Sequence, residues 1–238
     1  MEKLCVILLS YKRQQNIQFI AENILKCSFV DKLIISNSNP EFEIDPWVEI
    51  KDPRIEIINH PTKKECHSRW EILKDENFEF YMAIDDDVFL TPEQIKMLFN
   101  FQTKDPTRPH GLFGSEWTIE DYEKRTIDRL YSRERDTTVD ILHQVYAVSK
   151  RHINRYFEIR EEILKKAPGI ESLLDEHADD LLISHSGTSR PMIHGIGEIS
   201  ECSTRKREGI ANCAKDNFKK YRIEAFQHLS EVRDKLSD

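Results

Sequence analysis

Residues 80–90, Phe-Tyr-Met-Ala-Ile-Asp-Asp-Asp-Val-Phe-Leu, constrain this chain more than any other stretch. A short run rich in aromatic and apolar residues reads as a buried strand. It stops in three adjacent carboxylates, Asp85, Asp86 and Asp87, and then resumes. Ionised carboxylates at the mouth of a core element repel one another and resist desolvation. Water at a strand end relieves that strain, and so does a hard divalent cation with oxygen ligands. Side chains alternate along a strand, so Asp85 and Asp87 reach one site while Asp86 points elsewhere. The competing reading is a solvated acidic turn, and the flanking apolar residues count against it.

The rest of the chain supplies a frame for that strand. Leu4–Leu9 is a continuous apolar run, as expected of a central parallel strand, and Ser10-Tyr11-Lys12-Arg13 ends it. Ile17, Ile20, Ala21, Ile24 and Leu25 follow at helical spacing. Lys32–Ser36 and Ile55–Ile58 read as further strands, the first closed by Asn37-Ser38-Asn39-Pro40, and Cys66–Leu73 as a helix. This alternation predicts an α/β fold with a mostly parallel central sheet and helices on both faces. Ligands in such sheets bind beyond the carboxyl ends of the strands, where Ser10–Arg13, Asn37–Asn39 and Asp85–Asp87 all fall. Thr91-Pro92-Glu93-Gln94 carries the signals of a helix start, with the helix running to about Phe101.

Later segments are less patterned. Glu116–Asp140 is dense in charge and weak in periodicity, a polar hairpin or an irregular excursion. Ile141–Ser149 returns to a strand pattern and His152–Leu164 to a helical one. In Ala178-Asp179-Asp180-Leu181-Leu182-Ile183 two acids open a buried helix, near the positive end of its dipole. Pro191–His194 reads as a last short strand. Phe218, Tyr221, Ile223, Ala225, Phe226, Leu229 and Val232 form a C-terminal stripe expected to cover the domain's own core, with a second subunit or peripheral contact with a membrane surface left open. One domain over 1–238 is expected, falling into residues 1–100, residues 101–210 and a C-terminal helix (211–238).

Composition narrows the classes. Of 238 residues, 39% are hydrophobic and 33% charged, with neither a spanning apolar run nor a signal-peptide pattern at the start. Five scattered cysteines without a Cys-x-x-Cys pair suit reduced thiols and a cytoplasmic protein. A net charge of −8 argues against nucleic acid as a partner.

Taken together, Val6–Arg13, Leu33–Ser38, Ile84–Pro92 and Ala178–Leu182 resemble nucleotide-sugar glycosyltransferases of the GT-A fold, most closely the exostosin-type catalytic domain of glycosyltransferase family 64. The resemblance covers roughly residues 4–195. It implies a metal-dependent transfer of sugar from a nucleotide-diphosphate donor, a UDP-sugar, to a hydroxyl of a glycan acceptor, with Mn²⁺ or Mg²⁺ as cofactor. Asp87 would bind the metal directly, Asp85 directly or through water, and Asp86 would approach the ribose. Tyr11, Arg13, Asn37 and Arg69 would hold the base and diphosphate, and a guanidinium suits either. Asp180, or else Asp179, would face the acceptor, as general base in an inverting enzyme or, in a retaining one, as a group that orients the acceptor or stabilises the oxocarbenium-like centre; the resemblance favours retention. His194 is a candidate third metal ligand and His185 a structural histidine. Arg205-Lys206-Arg207 reads as a solvated basic run, with a loop over the diphosphate as the alternative. Two rivals stand beside this reading. A sugar-phosphate nucleotidyltransferase should begin with a Gly-rich loop, which Ser10–Gln15 lacks; a non-catalytic nucleotide- or glycan-binding module would bind UDP without releasing it from any donor.

Overall fold

In the computed structural model, the described residues are 2–116, 130–131, 136–202 and 216–233. The basic run Arg205-Lys206-Arg207 and most of the charged Glu116–Asp140 stretch lie outside them. The central strand is β1 (Leu4–Ser10), flanked in parallel by β2 (Val30–Asn37) and β4 (Phe80–Asp85); β3 (Ile55–Asn59) extends the sheet beyond β2. On the other side of β4 the order continues through β9 (Ile141–Ser149), β6 (His110–Ser115), β10 (Met192–Ile193) and β8 (Thr137–Thr138), with β7 (Leu130–Tyr131) against β6. Strands β1–β4, β6 and β10 run one way; β7, β8 and β9 run the other. The sheet is therefore large and mostly parallel, as the strand–helix alternation predicts.

Alternation along β1 divides the core into two layers. Leu4, Val6 and Leu8 pack with α1 (Gln14–Leu25) and α3 (Pro92–Lys104). Cys5 and Ile7 face the opposite layer, which gathers Trp70 and Leu73 of α2 (Ser68–Asp75) and Ile153, Tyr156, Ile159 and Ile163 of α4 (Lys150–Lys166). The same layer takes Leu174 of α5 (Glu171–His177), Leu181–Ile183 of α6 (Asp179–Ser184) and Ala225, Leu229 and Val232 of α7 (Phe218–Arg233). Burying both faces explains why β1 is apolar throughout rather than alternating. The α3 start is a complete capping box: Thr91 Oγ1 accepts from the Gln94 amide at 3.2 Å, and Gln94 Oε1 accepts from the Thr91 amide at 3.0 Å. Gln94 Nε2 also donates to Glu198 O at 2.7 Å, tying the late chain to this helix.

Register aligns the strand ends. Leu9 lies opposite both Ser36 and Asp85, and Ser10 opposite Asn37. A short two-stranded ladder of β5 (Val88–Phe89) and β11 (Ser200–Glu201) then holds the segment after the acids.

One irregularity matters for function. Gly111 pairs with Tyr146 and Phe113 with His143, so two steps along β6 face three along β9. The extra residue of this bulge is Gln144, at φ 62°. Few non-glycine residues adopt that conformation, and it is held at a cost of about 1–3 kcal/mol. Gly111 permits the close approach of the strands, since a Cβ there would sit 2.7 Å from Val145 O. The bulge breaks the strict alternation of β9, and His143 and Gln144 both contribute side chains to the strand-end region.

Candidate functional site

The acidic strand end assembles from β4, the β1–α1 connection and the β9 bulge. Asp86 and Asp87 lie in the turn just past β4, where strand alternation no longer applies, and both are buried against Arg13. Asp86 Oδ2 accepts from the Tyr11 amide at 3.0 Å, its Oδ1 from Arg13 Nη1 at 2.7 Å, and its backbone oxygen from Asn16 Nδ2 at 2.8 Å. Burial pushes this carboxyl up, against the pull of Arg13 and the Tyr11 amide. With both oxygens engaged, Asp86 braces the β1–α1 turn.

Asp87 differs. Its Oδ1 accepts from Gln144 Nε2 at 2.8 Å, and its Oδ2 lies 3.4 Å from Arg13 Nη2. Burial, followed by the Asp85 charge, pushes its carboxyl up to about 7. Asp85 keeps a part-exposed side chain and accepts from Arg69 Nη1 at 2.8 Å. The corner thus carries more negative charge than its guanidinium partners offset, and a divalent cation fits that deficit. Among the described residues, no group of three or more His, Cys, Asp or Glu side chains gathers to hold a metal alone. Phosphate oxygens or water would have to complete the shell.

Arg69 connects this corner to a second acidic pair. It is buried, donates through Nε to Cys66 O at 3.0 Å, and stacks near the rings of Trp70 and Tyr146. The same Nε stands 3.5 Å from Asp179 Oδ2, a charge contact without hydrogen-bond alignment. Burial raises the Asp179 carboxyl to about 7, against the pull of Arg69. Asp180, its neighbour at the start of α6, binds Arg222 Nη1 through Oδ1 and lies 3.3 Å from His143 Nδ1 through Oδ2. Burial opposes its ionisation, but Arg222 and His143 outweigh it and hold the carboxyl well below the usual range. Arg222 also donates to His177 O at 3.0 Å, which anchors α7 over the site.

The other expected site residues fall as follows. Tyr11 is half-buried, with Lys12 Nζ 5.2 Å and Lys63 Nζ 5.9 Å from its ring centre. Asn37 is fully buried: Nδ2 donates to Phe42 O at 2.7 Å and Asn59 Oδ1 at 3.1 Å, and Oδ1 accepts from the Asn39 amide at 3.1 Å. It shapes the β2 exit turn. His194 is buried away from the triplet, stacked 3.7 Å from the Phe101 ring. Its Nε2 is 2.7 Å from His110 Nδ1 and its Nδ1 2.8 Å from Asp136 Oδ1. Burial lowers the proton affinity of His194 and takes His110 down to about 4. The structure therefore joins Tyr11, Arg13, Arg69, Asp85–Asp87, Asp179 and Asp180 through shared contacts, and leaves His194 and Asn37 in contacts of their own.

Sequence reasoning missed His143, Gln144 and Arg222. His143-Gln144 did leave a signal, because two consecutive polar residues inside Ile141–Ser149 interrupt a strand pattern. Arg222 left none, since it lies in a charged helix.

No curated protein matches the chain by sequence. Among solved structures, GalNAc-T7 crystallised with UDP, GalNAc and Mn²⁺ is similar at a TM-score of 0.60 and 8% identity, over 97% of this chain and 48% of that one. This chain thus spans about half the length of that neighbour. CMP:2-keto-3-deoxy-manno-octonic acid synthetase complexed with CTP aligns at a TM-score of 0.47 and 12% identity, over 72% of this chain and 84% of that one. The fold is of GT-A type. Residues 4–177 match the glycosyl transferase family 64 domain, and the chain belongs to that family.

Proposed function

We propose that this glycosyltransferase is metal-dependent and transfers a sugar from a UDP-sugar to a hydroxyl of a glycan acceptor. The observation that carries the reading is Asp87, buried beside Asp85 and pushed up to about 7 at a strand end. Asp85 and Asp87 would hold Mn²⁺ or Mg²⁺ together with the diphosphate. Bound there, the ion offsets the charge gathering on the leaving diphosphate. Tyr11 would stack on the base, and Lys12 and Lys63, whose ammonium groups lie 5.2 and 5.9 Å from its ring centre, would supply cations to the phosphates. Arg69 and Arg13 hold the acids in place, and Asp86 and Asn37 shape the turns beneath the nucleotide. Asp179 and Asp180 belong to the acceptor side. Asp180, with so low a proton affinity, orients rather than takes up a proton. The division into a nucleotide half, an acceptor half and a C-terminal helix belongs to this reading, and so does a cytosolic setting, which rests on the scattered cysteines of the sequence. Among the described residues no helix is long and apolar enough to cross a membrane.

The test is UDP release from a panel of UDP-sugars, with and without Mn²⁺. Release that requires Mn²⁺ and vanishes in Asp87→Ala, together with loss of Mn²⁺ binding by calorimetry, supports the assignment. Full turnover in Asp87→Ala rejects it. Pyrophosphate release from a sugar phosphate and UTP would instead identify a nucleotidyltransferase, and UDP binding without release from any donor a binding module.

A further inference from the structure

Arg69, on the first turn of α2, reaches both acidic corners. Its Nη1 donates to Asp85 Oδ1 at 2.8 Å on β4, and its Nε stands 3.5 Å from Asp179 Oδ2 at the start of α6. The two contacts are unequal. Asp85 receives an aligned hydrogen bond, whereas the Nε proton goes to Cys66 O at 3.0 Å. Among the described residues no donor is aligned on Asp179 Oδ2, which keeps a charge contact alone. The Arg69 side chain is 2% exposed, beside the rings of Trp70 and Tyr146. It cannot turn to water, so its charge stays divided between the two acids. Asp85 is the open one, with its side chain 28% exposed.

The other titratable and charged groups around Asp179 are Cys66 ahead of α2, Asp85 on β4, Tyr146 on β9, Tyr156 on α4, its neighbour Asp180, and Arg222 on α7. Of the two cations, Arg69 acts more strongly on Asp179, since Arg222 is bound to Asp180 and to His177 O.

We propose that Arg69 couples the two corners: a divalent cation that offsets the Asp85 charge leaves the guanidinium to Asp179, whose carboxyl then ionises. The inference rests on the metal-dependent reading above and makes Arg69 a positioning residue. In the step, the O–H bond of the Asp179 carboxyl breaks, the electron pair stays on its oxygen, and the proton passes to water at the 11% of the side chain that is exposed. Burial prepares the step, because it raises this carboxyl to about 7 while the first corner is unloaded. Coupling is reciprocal, so an ionised Asp179 tightens the cation at Asp85 by the same factor. The second corner thus becomes fully anionic only after the first is loaded.

The experiment follows the Asp179 carboxyl by ¹³C NMR through neutral pH in the full chain. Saturating Mg²⁺, which is diamagnetic, should lower its titration midpoint by about 1–2 pH units. Asp85→Asn removes the same charge without metal and should lower the midpoint likewise. Arg69→Gln should lose most of the Mg²⁺ shift; if that variant does not fold, Asp85→Asn decides. By calorimetry at pH 8, Asp179→Asn should bind Mg²⁺ about 10–100-fold more weakly than wild type, and the difference should shrink at pH 6. A midpoint unmoved by Mg²⁺ and by Asp85→Asn, a full Mg²⁺ shift in Arg69→Gln, or equal Mg²⁺ affinity in Asp179→Asn at pH 8 would overturn the inference while leaving metal-dependent transfer intact. A wild-type protein that binds neither Mg²⁺ nor Mn²⁺ would overturn both.

Discussion

The two acidic corners follow one plan and differ in what closes them. In each, one carboxylate is locked to a buried arginine, Asp86 to Arg13 and Asp180 to Arg222. In each, the neighbouring acid is driven up to about 7 by burial, Asp87 in one and Asp179 in the other. The strand-end corner sets Asp87 beside the part-exposed Asp85, where a cation can arrive from outside. The helix-start corner sets Asp179 against Arg69 in the aromatic layer of Trp70, Tyr146 and Tyr156. The two corners therefore differ in exposure: the first keeps a part-exposed carboxylate at Asp85, the second is closed by an internal guanidinium.

Arg69 is where the two corners can be separated, and its loss should have the largest effect. Arg69→Met strands Asp85 and Asp179 together, and breaking a buried pair in this way costs about 3–5 kcal/mol. Urea unfolding should show that loss, and adding Asp179→Asn should recover part of it. Additive losses in the double variant would mean that the corners are independent.

Asp87→Asn comes next, with effects of opposite sign. A carboxyl raised in the folded state contributes stability below its ordinary value of about 4 and loses it as pH rises through 7. At pH 8 the neutral amide should therefore stabilise the metal-free protein by roughly 1–4 kcal/mol while abolishing Mn²⁺ binding. A drop in thermal midpoint at pH 8 would contradict the charge excess.

The buried histidines provide a contrast with both corners. Burial lowers His110 and His152 to about 4. Their contribution is complete above pH 6.5 and is lost as pH falls from there toward 4, by roughly 1–3 kcal/mol each. The wild-type midpoint should fall over that window, and His110→Asn should flatten the fall.

Gln144→Gly should have the smallest effect. Relief of the positive φ gains up to about 1 kcal/mol, while Asp87 loses its amide donor. A raised thermal midpoint with weaker Mn²⁺ affinity is the expected pair of results.

Much of the parallel half was legible because it obeys local rules. Leu4–Leu9 is apolar on both faces because both faces are covered, and the polar breaks after β1, β2 and β4 mark ends that register brings level. Thr91 capped its helix as its sequence predicts, and Asp179-Asp180 opened one. The rest depended on distant partners. Arg222 is buried on α7 while Tyr221, counted in the expected apolar stripe, is exposed. Asp180, 42 residues away, together with the His177 backbone oxygen makes a buried guanidinium tolerable there. Likewise Asn37 and His194 are polar residues near expected ends whose side chains are consumed by neighbours that no local pattern names.

The bulge on β9 makes His143 and Gln144 consecutive residues that serve different corners, one at Asp180 and the other at Asp87. A single amide plane therefore sets the gap between the two acidic corners. In many enzymes that gap is adjusted when lobes clamp together; here it is built into the covalent backbone, and a cation drawing Asp87 outward would tug the imidazole with it.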